Sequence, residues 1–209
     1  MKKIIVQIYE VTSPEEARQL AGLRVDNIGV LVGSGEYPRE VSIERAREIF
    51  AAVPHGHGKV ALSLSSKLED ICDIAARIGA DILHLGTAPE SLFPADILEL
   101  KRRFPGLKIM RSIPVADERS LQEAKQYDGV ADYLLLDSYN PEDTQIGATG
   151  LTRDWSISKK IVESVKIPVI LAGGLGTENV VEAIRQANPN GVDSKTRTDN
   201  FDGTAKERI

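Results

Sequence analysis

Apolar positions along this chain follow two periods in turn. Short runs rich in Val, Ile and Leu at 3–9, 27–32, 59–64, 81–85, 107–113, 131–136, 168–172 and 191–193 read as eight β-strands. Between them lie amphipathic segments with helical spacing, beginning near Pro14, Ile43, Leu68, Pro94, Glu118, Ser156 and Glu178, several with Ser, Thr or Asp just ahead as a cap. Strands that alternate with helices predict a parallel sheet. Eight of them in 209 residues predict a single (β/α)8 barrel domain over residues 1–209, with an open doubly wound sheet as the alternative. The eighth helix is expected to be short, since only 204–209 remain for it. The longest irregular stretch, 138–153, leaves the sixth strand on the face where barrels carry their chemistry.

Composition narrows the class. With 42% hydrophobic and 27% charged residues the chain reads as a globular domain. No apolar run approaches the ~20 residues of a membrane span, and the N-terminal residues run straight into a strand pattern. A cytoplasmic protein with no membrane partner is expected. A net charge of −5 without a contiguous basic patch argues against nucleic acid as a partner. The single cysteine, Cys72, excludes an intrachain disulfide framework; its spacing with Leu68, Ile71 and Ala75 puts it on the core face of a helix. His55 and His57 fall in a helix-to-strand loop, on the face away from barrel chemistry, with no third ligand nearby in sequence; no metal site is expected.

In a barrel the functional groups sit at the C-terminal ends of strands, which selects Tyr9, Glu10, Arg39, His84, Arg111, Asp137 and Asp193. Asp137 ends a run of three leucines that carries a carboxylate to the rim. Arg39, after the second strand, offers a guanidinium fork for a carboxylate. Strand alternation aims His84 either into the mouth or at the helices. After the seventh strand, Gly173-Gly174-Leu175-Gly176 precedes a helix read as capped by Thr177. Glycines let backbone N–H groups approach a ligand closely, and a helix N-terminus adds unpaired donors, so this turn is a phosphate-binding candidate.

Leu134-Leu-Leu-Asp137, Gly147-Ala-Thr-Gly150 with Asp154-Trp-Ser156, Pro168-Val-Ile-Leu-Ala-Gly-Gly-Leu175 with Glu178-Asn-Val, and Gly191-Val-Asp193 together resemble the phosphoribosylanthranilate isomerase family of tryptophan biosynthesis. The first half is in register through Val11-Thr-Ser-Pro-Glu-Glu-Ala17 and Pro38-Arg-Glu-Val-Ser42. The resemblance implies a (β/α)8 enzyme that performs a cofactor-free Amadori rearrangement on a small phosphorylated sugar, as a monomer or homodimer. It implies Asp137 as general acid, Arg39 on the anthranilate carboxylate, and phosphate held by Gly173, Gly174, Ser194 and Lys195. Arg111 and Asp193, selected by their strand-end positions, are expected as further substrate contacts.

The chain departs from the family where the family's general base stands. The Lys-Ile-Cys-Gly run that closes the first strand reads Gln7-Ile8-Tyr9-Glu10 here, so the thiol is absent. Tyr9, Glu10 and His84 are its candidate replacements. The small Ser-Ser-Gly loop after the eighth strand becomes Ser194-Lys195-Thr196-Arg197, which loses a glycine and gains two cations. Three functions are compatible with these residues: the isomerase itself, a diverged barrel enzyme acting on another phosphorylated sugar, and a non-catalytic protein that binds a phosphorylated ligand.

Overall fold

A computed structural model describes residues 3–137 and 155–199. The elements run β1 (Ile5–Ile8), α1 (Pro14–Gly22), β2 (Asn27–Leu31), α2 (Ile43–Ala51), β3 (Gly58–Ser63), α3 (Leu68–Arg77), β4 (Ile82–Leu85), α4 (Pro94–Arg103), β5 (Lys108–Pro114), α5 (Arg119–Gln126), β6 (Tyr133–Asp137), α6 (Ser156–Ser164), β7 (Val169–Ala172), α7 (Val180–Ala187) and β8 (Gly191–Ser194). All neighbouring strands pair in parallel, and β8 closes on β1 with Gln7 opposite Asp193, making an eight-stranded barrel. The open-sheet alternative is thereby excluded.

Strand alternation divides the core in two. Tyr9, Val60, Ile82, Met110, Leu135, Ile170 and Ala172 fill the lumen, while their neighbours of opposite parity, such as Ile28, Leu83, Ile109, Leu134 and Leu171, pack outward beneath the helices. Each helix turns one apolar stripe to that outer layer. In α1, Ala17 and Leu20 are buried, and the N-terminus is fixed by a capping box in which Ser13 Oγ accepts from Glu16 N at 3.1 Å. Cys72 is half-buried on α3 and accepts a weak hydrogen bond from Arg103 at 3.5 Å.

Six of the seven helices begin within one residue of the positions read from the sequence. The seventh begins two residues late. Thr177 does not cap it; Asn179 precedes it, and the Asn179 side chain folds back on the glycine turn, accepting from Gly176 N at 2.9 Å and donating to Gly174 O at 3.0 Å. The long stretch 138–153 and the expected eighth helix at 204–209 lie outside the described residues.

Candidate active site

The C-terminal strand ends bring most of the selected residues to one rim. β6 ends on Asp137, which lies beside Ala172 of β7 and has the lumen-facing parity of Leu135; its side chain is exposed at the mouth. Across the barrel, β1 delivers Tyr9 into the lumen and Glu10 just above it. Glu10 is a non-glycine residue at φ 60°, in the left-handed region. Its nearly buried carboxylate forms an ion pair with Lys195, which follows β8.

Tyr9 and His84 face each other inside the barrel. The Tyr9 hydroxyl lies 2.6 Å from His84 Nδ1, and His84 Nε2 lies 2.7 Å from Ser112 Oγ on β5. Burial, with a smaller contribution from the Arg111 charge, lowers the His84 pKa to about 3, so the ring is neutral at physiological pH. With a neutral imidazole, the phenol is the stronger acid and donates to Nδ1, leaving the Nε2–H to donate to Ser112. Burial also raises the Tyr9 hydroxyl well above its ordinary value, and the Asp193 carboxylate pushes in the same direction. The pair is a neutral hydrogen-bonded unit, an arrangement that does not favour Tyr9 or His84 as general base.

Two further candidates sit away from the rim. Arg111 has outward parity on β5 and is fully buried beneath the helices, donating to Leu85 O and Thr87 O at 2.8 Å each, with its guanidinium 5.5 Å from the centre of the Tyr127 ring. It braces the loop after β4 and is no substrate contact in this geometry. Asp193 faces the lumen below Tyr9, where its carboxylate accepts from Gln7 Nε2 at 3.2 Å, and Gln7 in turn accepts from Asn27 at 3.1 Å. This buried network supports the first two strands.

The glycine turn has the expected backbone. Gly173 and Gly174 take φ of 93° and 58°, conformations that favour glycine. Ser194 ties β8 to this turn by donating its hydroxyl to Leu175 O at 2.7 Å, so that proton is not available to a phosphate. Arg197 lies over Gly176, whose added Cβ would meet the Arg197 side chain at 2.9 Å, and pairs with Glu178 at 3.3 Å. Arg39, also in the left-handed region at φ 64°, meets Asp199 at 3.0 Å and Glu16 at 3.5 Å. Its loop is wrapped on the Glu40 carboxylate, which accepts from the backbone N–H groups of Gly35 and Glu36 at 2.7 and 2.6 Å. His57, away from the mouth, donates from Nδ1 to Val25 O at 2.7 Å.

Ser112, Gly29, Glu16 and Asp199 were not selected from the sequence. Strand parity marks Ser112, which stands two residues beyond lumen-facing Met110, and a glycine inside a strand marks Gly29 as a place of close approach. The Asp199 contact with Arg39 spans 160 residues and leaves no local signal.

The sequence model of the family described as N-(5'phosphoribosyl)anthranilate (PRA) isomerase matches residues 7–196 of this chain. The chain belongs to that family. The N-(5'-phosphoribosyl)anthranilate isomerase of Methanocella arvoryzae is 35% identical over 189 residues, covering 90% of this chain and 85% of its own length. That of Haloferax volcanii is also 35% identical over 189 residues, with 90% and 81% covered. Among solved structures, the phosphoribosyl anthranilate isomerase of Thermotoga maritima superposes with a TM-score of 0.80 at 26% identity, covering 98% of this chain and 94% of that one. At the positions where the sequence resemblance places the family's Cys-Gly pair, this chain has Tyr9 and Glu10.

Proposed function

We propose that this chain catalyses the Amadori rearrangement of N-(5'-phosphoribosyl)anthranilate in tryptophan biosynthesis, with Glu10 rather than a thiol as general base. The observation that carries the reading is the placement of two carboxylates, Glu10 two residues beyond β1 and Asp137 ending β6, across one barrel mouth that also holds the Gly173-Gly174 turn. Asp137 protonates the ribose ring oxygen, and the ring opens to an iminium ion. Glu10 takes the C2 proton, giving an enol-amine that tautomerises to the 1-amino-1-deoxyribulose phosphate. Arg39 faces the anthranilate carboxylate, and the glycine turn with Lys195 faces the phosphate. Tyr9, kept neutral by burial and hydrogen-bonded to His84, lines the floor beneath C2 as a hydrogen-bonding group.

Turnover of phosphoribosylanthranilate by the purified protein, followed by loss of substrate fluorescence and abolished in Asp137→Asn, tests the reading. A folded protein without turnover sinks it. In that case the lumen built around Tyr9 and the cations after β8 favour the second reading, a diverged enzyme for another phosphorylated sugar, which thermal-shift screening with phosphosugars would identify.

Among the described residues no helix is long and apolar enough to cross a membrane. The reading is of a cytoplasmic enzyme, monomeric or homodimeric, which sedimentation of the purified protein distinguishes.

A further inference from the structure

The residues that follow β8 form a short strap over one side of the mouth. A 3-10 turn at Thr196–Thr198 is fixed by Lys195 O, which accepts from Thr198 N at 3.2 Å and from its hydroxyl at 2.7 Å. From this turn three side chains reach different elements. Lys195 meets Glu10 at the end of β1, Arg197 lies on the glycine turn before α7, and Asp199 meets Arg39 in the loop after β2. Arg39 and Lys195 are the two cations that the proposed function assigns to the anionic ends of the substrate. Lys195 already carries the Glu10 carboxylate, and Arg39 carries that of Asp199 with Glu16 as a longer second partner at 3.5 Å.

Both carboxylates are nearly out of water: the Glu10 and Asp199 side chains are 5% and 8% exposed, against 52% for Lys195 and 17% for Arg39. An incoming anion that takes one of the cations must therefore displace a buried carboxylate from its counter-charge, which is costly unless the displaced group finds a proton or a new donor. A ligand with a neutral end has nothing to offer in exchange.

Resting on that reading of the two cations, we infer that Glu10 and Asp199 are specificity-determining residues: each holds a substrate-binding cation in the ligand-free site and yields it only to an anionic group. Binding is thus an exchange of anions at two places, coupled because Lys195 and Asp199 belong to one five-residue strap. The exchange also prepares the chemistry. A phosphate on Lys195 leaves Glu10 without its counter-charge beside C2, where taking the substrate proton restores neutrality.

Isothermal titration of the full chain with two probes, inorganic phosphate and anthranilate, tests this inference. Glu10→Gln is expected to tighten phosphate at least tenfold and leave anthranilate within twofold of the parent; Asp199→Asn is expected to do the reverse. In the parent protein, saturating phosphate is expected to tighten anthranilate at least threefold. This last measurement stands even where a variant fails to fold. Unchanged or weakened affinities in both variants, absence of coupling in the parent, or absence of binding of either probe would overturn the inference. A protein that shows the exchange but isomerises nothing would remove the proposed function and leave the exchange standing, whereas an active isomerase with unaltered variant affinities would do the opposite.

Discussion

The consequence of replacing a cysteine by Tyr9 is decided by the groups that surround the new side chain. A phenol hydrogen-bonded to a neutral imidazole, with its pKa raised by burial and by Asp193, is a donor and not a base. Tyr9→Phe should therefore keep turnover within about tenfold. It should cost about 1–3 kcal/mol of stability, measured by urea unfolding, because His84 Nδ1 loses its partner inside the barrel. Glu10→Gln should instead lower kcat by about 10²–10⁴, the usual contribution of a positioned base. Equal losses in the two variants would return Tyr9 to the catalytic role. His84 adds a pH dependence whose sign is fixed. Its folded pKa, about 3, lies below the ordinary 6.5 of a histidine, so between these values the unfolded chain binds a proton that the folded chain refuses. The stability this contributes is fully present above pH 6.5 and is lost as pH falls toward 3. Chemical unfolding between pH 6.5 and 4 should show His84→Gln with a shallower acid-side slope than the parent, by up to about 1.4 kcal/mol per pH unit. Equal slopes would mean that the ring is charged in the folded protein.

Among the elements, β1 and β2 show how one substitution is absorbed by its neighbour. The Tyr9 ring lies directly over Gly29, where an added Cβ would sit 2.2 Å from Tyr9 Cδ1. Gly29→Ala should destabilise the barrel by about 1–3 kcal/mol, the range for forcing an extra methyl into a packed core. In the Tyr9→Ala background the same change should cost far less, so a double-mutant cycle on unfolding free energies should give a coupling above about 1 kcal/mol. Additive effects would show that the ring moves aside freely. This pairing also marks where the sequence stops being informative. Periodicity located eight strands and the starts of six helices because each element carries its own apolar face. It missed the two-residue delay of α7 because Asn179 spends its side chain on the glycine turn instead of leaving Thr177 to cap. At the site, the strand-end rule selected Glu10 and Asp137, which the fold carries to the rim, whereas Lys195 was singled out only through the family resemblance. The outward aim of Arg111, the Asp193–Gln7–Asn27 network and the engagement of Ser194 with Leu175 depend on parity and on contacts between distant segments, which a strand-end rule does not carry.

For the whole molecule, closure of β8 on β1 places the strap, the glycine turn and the two rim carboxylates on one cooperative body, so a ligand held at the mouth stabilises the barrel as a unit. In the proposed mechanism the grip on phosphate and the acid step fall to different residues: the β7–β8 side would hold the phosphate, and Asp137 would donate the proton. Inorganic phosphate at 100 times its Kd should raise the unfolding free energy by ~2.7 kcal/mol. For a domain of this length that corresponds to roughly 5–10 °C in the unfolding midpoint. Asp137→Asn should retain most of the phosphate-induced shift in scanning fluorimetry while losing turnover, because the strap that supplies Lys195 follows β8, two strands from β6. Lys195→Gln should show the converse in the thermal measurement, with the shift largely gone, and its residual turnover should be limited by a raised KM. If Asp137→Asn lost the phosphate shift as well, the acid and the phosphate seat would be one site, and the division of the mouth between a gripping side and a reacting side would fail.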